Sequence, residues 1–194
     1  MTEMRRVPVD DKKSRPVMPT FGSGPPPDPI TPEPAEEECD CPRLDAADWH
    51  EVESDWSDIS FVKGSTTAVL GVPIGYGELR KELAERAAKL GATVPVDAMV
   101  LMGSGRFRRP VMLEVEDAGA GVKGVERPGG FVFTRLIPAP WGEMRHVLDA
   151  TVDAANDRYG RKPDDTWLWY LTCRICSQPR NFEVLVLAHY REKR

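Results

Sequence analysis

The stretch TTAVLGVPIGYGELRKELAERAAKLG, residues 66–91, decides the fold class. Its first half is rich in β-branched and apolar residues, a composition that is typical of a strand. Its second half predicts a helix ending at Gly91, because four apolar residues recur there at a spacing of three to four positions: Leu79, Leu83, Ala87 and Leu90. Two further strand patterns, VDAMVLMG and PVMLEVE, complete a strand-helix-strand-strand (βαββ) unit.

The same order of elements occurs again in the second half of the chain. GFVFTRLI predicts a strand, WGEMRHVLDATVDAANDRYG a helix, and TWLWYLTCRI and FEVLVLAHY two more strands. The strand-to-helix junctions also match, since YGELR at residues 76–80 corresponds to WGEMR at residues 141–145. We therefore predict an α+β fold in which two βαββ repeats, about residues 66–117 and 130–190, form one curved antiparallel sheet with both helices on one face.

Proline dominates the N-terminal part of the chain, where ten of the 18 prolines fall within the first 42 residues. Fixed φ angles, missing N–H donors and few apolar side chains leave little to offset the entropy of ordering, so residues 1–38 are predicted to be a disordered tail. Residues 39–57 contain Trp49 and Trp56 and are too short to build a core alone. They are predicted to dock on the two-repeat domain that follows, residues 58–194.

Charge and hydropathy argue against nucleic acid and membranes as partners. The net charge of −5 opposes attraction to phosphate backbones, and the basic residues are scattered, so nucleic acid is not expected as a partner. No uncharged apolar stretch approaches the roughly 20 residues that a membrane helix needs, and the first residues lack the apolar region of a secretion signal. We therefore expect a soluble, cytoplasmic protein that does not bind membranes.

The four cysteines form two closely spaced pairs, Cys39 with Cys41 and Cys173 with Cys176. Two thiolate pairs brought together make a closed tetrahedral site suited to Zn²⁺, so the pattern predicts a structural zinc site that pins the N-terminal segment to the domain. A redox or disulfide pair and four unrelated thiols stay open as alternatives. Cytosolic thiols remain reduced, and no helix is predicted to begin at Cys173 and lower its pKa, which disfavours the redox alternative.

The second junction, APWGEM at residues 139–144, resembles the G-P-Y-x-E-L signature of gyrase-inhibitor-like domains, and IGYGEL at residues 74–79 is a weaker copy. With the order of elements, the resemblance covers about residues 58–190. Such domains bind small molecules, alone or as the effector-binding halves of transcription activators, and some hydrolyse cyclopropane-bearing genotoxic compounds. The sequence departs from the pattern at Ala139, where the family has glycine, and the first junction lacks the proline. The transcription-factor version is not expected, because no helix-turn-helix region precedes the domain.

The resemblance implies a ligand cleft between the repeats, lined by aromatic side chains and an acid of the last strand. For the strand aromatics, an ordinary place in the core is the alternative, and for the acid, Glu183, the alternative is a solvent-exposed strand end. The implied ligand contacts are Tyr76, Trp141, Trp167, Trp169, Tyr170 and Glu183. A narrower resemblance links the chain to small microbial proteins of this class, in which a segment with cysteine and tryptophan precedes the domain and T-C-x-x-C, here residues 172–176, closes the penultimate strand.

Three functions follow as hypotheses. The first is binding of a hydrophobic or aromatic, often cationic small molecule by stacking and by charge pairing with Glu183, in a detoxification or sensing role. The second is hydrolysis of strained, cyclopropane-type compounds, in which Glu183 or another cleft acid orients a water. The third is a protein-interaction module whose partner is reached through the proline-rich tail. The sequence shows no Ser-His-Asp arrangement and does not itself name a catalyst.

Overall fold

The fold is taken from a computed structural model, in which the described residues are 39–69, 72–73, 75–105, 107–119, 121–139 and 142–192. All of them fall within one compact unit, Glu37–Arg194. The predicted proline-rich tail, residues 1–38, lies outside the described residues.

The described residues form a mixed α/β fold around one open antiparallel sheet. Its strands are β1 (Val52–Asp55), β2 (Ser60–Val69), β3 (Val72–Pro73), β4 (Val100–Gly103), β5 (Arg108–Val115), β6 (Val125–Glu126), β7 (Phe131–Pro138), β8 (Asp165–Tyr170) and β9 (Glu183–Tyr190). Eight of them run in the order β1-β7-β9-β8-β4-β5-β2-β3, and β6 pairs with β2. The centre of the sheet is the β4–β8 pair, which is followed by β5 and β2 on one side and by β9 and β7 on the other.

The helices are α1 (Ala46–Trp49), α2 (Tyr76–Lys89) and α3 (Met144–Tyr159). Helix α2 begins after Gly75, whose φ of 73° is a left-handed conformation that glycine adopts without strain. Its apolar stripe packs on the sheet, as the spacing predicts, with Leu83 and Ala87 buried. Helix α3 ends at Gly160, which is also left-handed with a φ of 67°, as the sequence indicates.

Both long helices lie on the same face of the sheet. Met102 of β4 packs in the cluster that contains α2, and Leu168 of β8 packs in the cluster that contains α3. These two residues are directly paired across the antiparallel strands, and paired residues point to the same face. Their neighbours Leu101 and Trp169 therefore point to the opposite face, where they belong to a separate core cluster.

That opposite face is covered by the segment of residues 39–59, which we call the strap. Trp56 of the strap is buried to 2% exposure in the core cluster of this face, and Trp49, Leu44 and Ile59 pack against the same cluster. The strap adds β1 to the edge of the sheet, where Val52–Asp55 pairs with β7. The two indoles of the predicted docking segment thus pack on this face of the sheet.

One buried hydroxyl joins the strap to the sheet. Thr134 of β7 is 1% exposed, and its Oγ1 donates to the carbonyl oxygen of Trp49 at 2.9 Å. We expect Thr134→Val to lower the free energy of unfolding by about 1 to 3 kcal/mol, because it leaves a largely buried carbonyl without its donor. Urea unfolding measures the change. Thr166→Val is the matched control, since that hydroxyl makes no hydrogen bond within the described part of the chain. An equal loss of unfolding free energy in both variants would show that the Thr134–Trp49 hydrogen bond makes no specific contribution to stability.

Candidate functional site

Two separate clusters of reactive side chains occur in the described residues, and the first is formed by the cysteines. Cys39 and Cys41 begin the strap, whereas Cys173 and Cys176 lie in the loop between β8 and β9. The four sulfur atoms lie within 4.8 Å of one another. The predicted pairs are thus brought together across more than 130 residues of sequence, close enough to hold a metal ion.

The sulfur spacing fits a metal better than a disulfide. Cys173 Sγ and Cys176 Sγ are 3.9 Å apart. A disulfide would place them at about 2.05 Å. In tetrahedral zinc coordination, bonds of about 2.3 Å place neighbouring sulfurs at about 3.8 Å. The arrangement therefore matches thiolate ligands around a shared ion.

Backbone N–H groups already point at the sulfur atoms. The Ile175 amide lies 3.4 Å from Cys173 Sγ, and the Cys173 amide lies 3.4 Å from Cys176 Sγ. Donors from the backbone of Cys176 and Ile175 lower the pKa of Cys173 to about 6. Burial, followed by the neighbouring thiols, raises the pKa of Cys41 to about 12. Without a cation, four thiolates would repel one another, and a bound metal removes that conflict.

Arg180 connects the cysteine cluster with the strap and the sheet. Its guanidinium donates to the carbonyl oxygens of Leu171 at 2.9 Å and Pro42 at 2.7 Å, and to Glu183 Oε2 at 2.5 Å. Burial opposes its charge, but the carboxylate of Glu183 and the thiol of Cys176 raise the pKa of Arg180. The arginine thus supplies a permanent positive charge beside the thiol ligands.

The second cluster lines a cleft of about 680 Å³ on the strap side of the sheet. Its walls combine an aromatic ring, a thioether and charges of both signs. Its lining residues are Lys63, Met112, Glu126, Arg127, Pro128, Gly129, Asp165, Trp167, His189, Arg191 and Glu192. The mixture offers an apolar surface together with polar groups that can orient a bound molecule.

Asp165 is the most firmly positioned acid of the cleft. Arg191 donates to its Oδ2 from Nε at 2.9 Å and from Nη2 at 2.6 Å, and His189 Nδ1 lies 3.5 Å from the same oxygen. His189 itself is 1% exposed, and its Nε2 lies 2.7 Å from the carbonyl oxygen of Gly129. No hydrogen-bond partner of Asp165 Oδ1 is found among the described residues. One carboxylate oxygen is therefore fixed while the other is available.

Trp167 forms the apolar part of the cleft. It lies two residues after Asp165 on β8, so the two side chains share a face of the sheet. The residue is 8% exposed, and its Nε1 is buried without a hydrogen-bond partner in the described structure. A buried donor without an acceptor is costly, so this indole is a place where a water or a ligand acceptor gains binding energy.

Two other cations of the rim, Lys63 and Arg127, have partners within the chain. Lys63 makes an ion pair with Glu126 across the β2–β6 edge. Arg127 donates to Ser60 Oγ and to the carbonyl oxygen of Ala118, both at 3.0 Å. The rim therefore carries opposite charges that offset one another, and it does not select a ligand by net charge alone.

The structure brings together only some of the predicted ligand contacts. Trp167 lines the cleft, whereas Trp169 packs on the same face in the core, with its ring 6.3 Å from that of Trp49. Tyr170 packs on the helix side. Glu183 is ion-paired with Arg180 in the region of the cysteine loop and does not line the cleft.

The two remaining predicted ligand contacts are the junction aromatics Tyr76 and Trp141. The backbone of Tyr76 is described as the first residue of α2. Trp141 lies outside the described residues. Their predicted contacts with a ligand stay predictions.

Asp165 and Arg191 were missed by the sequence analysis. A signal for Asp165 was present, because strict alternation along DTWLWY places it on the face of Trp167 and Trp169. Arg191 follows the last strand, and no sequence pattern around it marks it as a site residue. Its contact with Asp165 depends on the pairing of β8 with β9, in which Asp165 lies opposite His189.

A family model described as "Bacterial hydrolase" matches residues 30–189, which is most of the chain and includes the four cysteines, Asp165 and Trp167. The chain belongs to this bacterial hydrolase family. The family description agrees with the hydrolase hypothesis at the level of reaction class. A search of curated proteins gave no match. Among the described helices, none has the length and apolar character needed to cross a membrane.

Proposed function

We propose that the chain hydrolyses a small organic molecule bound in the cleft, with Asp165 as the residue that orients and deprotonates water. The observation that carries the proposal is the state of this carboxylate, which has Oδ2 held by Arg191 and Oδ1 without a partner in the described structure. A water at Oδ1 would face a molecule that rests on Trp167. This is the arrangement that general-base hydrolysis requires.

The proposed reaction adds one water across one bond of the substrate. Asp165 Oδ1 accepts a proton from water while the water oxygen bonds to the electrophilic carbon. The bond from that carbon to the leaving atom then breaks, and the leaving atom receives the proton. Arg191 and His189 keep the carboxylate in place, so little reorganisation is needed in the transition state.

The substrate that fits best has a flat apolar part and a hydrogen-bond acceptor. The flat part would lie on Trp167 and Met112, which line the cleft together. An acceptor, such as a carbonyl oxygen, would satisfy Trp167 Nε1 once the ring adjusts to a ligand. Because the rim charges are balanced, a neutral or zwitterionic molecule fits better than the cation expected from the sequence.

The resemblance to gyrase-inhibitor-like domains extends this proposal to strained substrates. The strand order β4-β5-β2 on one side and β8-β9-β7 on the other supports a duplicated βαββ unit. If the duplication holds, the cleft corresponds to the ligand side of such domains. Cyclopropane-type electrophiles then belong in the first group of compounds to be tested.

We also propose that the cysteine cluster binds Zn²⁺ in a structural site. Four thiolates fill a tetrahedral shell and leave no open position for a substrate. The 3.9 Å separation of Cys173 and Cys176 and the N–H donors at their sulfurs support this assignment. The metal would hold the strap on the domain and would take no part in the hydrolysis.

A matched panel tests the proposed hydrolysis. Flat aryl esters, lactones and cyclopropyl ketones are incubated with the zinc-loaded chain, and product formation is compared with binding measured by calorimetry. We expect turnover of at least one class, with competition between the compounds that bind. Binding of every class without turnover would overturn the hydrolase proposal and favour a binding module.

A further inference from the structure

The aromatic ring and the thioether that line the cleft leave little of their own surface for a ligand. Met112 is 1% exposed and Trp167 is 8% exposed. Pro110 lies two residues before Met112 on β5, so the two side chains share a face of the sheet. Unlike the two lining residues, Pro110 is exposed. It therefore offers accessible apolar surface next to Met112.

The same proline adjoins Trp167 above a glycine of the strand between them. Gly103 of β4 is paired directly with Trp167 of β8, so both residues face the cleft side of the sheet. A Cβ atom at residue 103 would lie 3.0 Å from Trp167 Cζ3 and 2.6 Å from Pro110 Cγ. The two rings thus occupy the space that a side chain at residue 103 would fill. Together they form one apolar surface across β8, β4 and β5.

Neither ring can move far to make room for a larger residue. The ring of Pro110 is closed on its own backbone, which fixes its position relative to β5. Trp167 packs in the core cluster of this face with Leu101 and Leu187, both fully buried. A methyl group at residue 103 would therefore displace a ring or push β4 away from its neighbours.

From these contacts we infer that Gly103 is a specificity-determining residue of the cleft, because its missing side chain lets a flat ligand rest on Trp167 and Pro110 together. The ligand class that this surface fits is a neutral molecule with two fused flat rings. A single ring rests beside Trp167 and gains little from Pro110. The inference rests on the proposed function in treating the cleft as the substrate site, and it narrows the class of substrate.

Calorimetric titration of the full chain with two matched ketones tests the inference. Acetylnaphthalene has two fused rings and acetophenone has one. Neither ketone has a leaving group, so binding is measured apart from any turnover. We expect Pro110→Ala to weaken acetylnaphthalene about fivefold or more, because the second ring of the ligand loses apolar contact, and to change acetophenone by less than about twofold.

Gly103→Ala should weaken both ketones about tenfold or more, because the added methyl displaces Trp167. The double variant Gly103→Ala/Pro110→Ala should bind acetophenone within about threefold of the wild type, since the methyl then takes the place of the removed proline ring. Gly64→Ala is the matched control. Its Cβ would meet Leu83 Cδ2 at 2.8 Å, on the helix side of the sheet, so both affinities should stay within about twofold of the wild type.

The inference is overturned if Gly103→Ala weakens the ketones no more than Gly64→Ala does, or if Pro110→Ala weakens both ketones equally. If Gly103→Ala does not fold, Pro110→Ala and the double variant decide the question. A wild-type chain that binds neither ketone overturns both the inference and the assignment of the cleft as a substrate site. A chain that binds both as expected, but hydrolyses no compound of the panel, loses only the proposed hydrolase activity.

Discussion

Asp165→Asn is expected to lower kcat by about 10² to 10⁴, which is the usual contribution of a positioned general base. Asparagine keeps the size of the side chain and an oxygen that Arg191 can approach, but it cannot accept the proton of water at neutral pH. KM should change much less, because the apolar contact of the substrate with Trp167 is retained. Steady-state kinetics on the best compound of the panel measures both parameters.

The control for this variant is Asp149→Asn. Asp149 lies on α3, is largely exposed and pairs only loosely with Arg145 at 3.9 Å. The Asp149→Asn substitution removes the same charge on the helix side of the sheet, away from the cleft. Both variants should keep near-normal unfolding curves. If Asp165→Asn retains kcat within about twofold of the wild type, Asp165 is not the base and another cleft acid, such as Glu126, must be examined.

Removal of the metal is expected to lower the stability of the chain by about 4 kcal/mol when free zinc exceeds its dissociation constant about a thousandfold. For a chain of this size, that loss corresponds to a fall in Tm of about 8 to 16 °C. The loss stays below the full binding energy of a structural zinc, because the sheet and its helices keep a core that does not contain the cysteines.

Cys173→Ser should reproduce the effect of a chelator, and added zinc should then no longer raise Tm. Ser177→Ala, in the same loop, keeps all four thiols and serves as the control. Metal analysis of protein purified without a histidine tag should give about one zinc per chain. A wild-type protein that carries no metal, and whose Tm does not respond to zinc, would show that the cysteines serve another purpose.

Local patterns in the sequence were sufficient for the two long helices and the main strands of the sheet. Short runs of apolar and β-branched residues marked β7, β8 and β9, and the three-to-four spacing of apolar residues marked α2. The four cysteines could also be grouped from sequence, since their pair spacing is that of a chelating site. Their closeness in the structure agrees with that grouping.

The residues that line the cleft could not be predicted from local sequence patterns. Part of its lining comes from residues 127–129 and 191–192, which lie outside the strands and follow no periodic pattern. Glu183 looked distinctive because it began an apolar strand, but Arg180, three residues earlier, takes up its charge. The contact of Asp165 with Arg191, in contrast, depends on the pairing of β8 with β9, which joins separate segments of the chain.

The face of the sheet on which the strap packs could not be predicted either. The sequence predicts that Trp49 and Trp56 dock, but it does not say on which face. Both faces of the central strands are apolar, since β4 is buried at every position, so periodicity could not distinguish the helix side from the strap side. The strap occupies the side that the long helices leave uncovered.

The most direct test of the central claim is a crystal structure of Asp165→Asn with the best substrate of the panel. We predict that the flat part of the substrate lies on Trp167, and that a water contacting residue 165 stands about 3 to 3.5 Å from the reacting carbon. Ligand density between α2, α3 and the sheet, or beside Glu183 with the Trp167 cleft empty, would contradict the account.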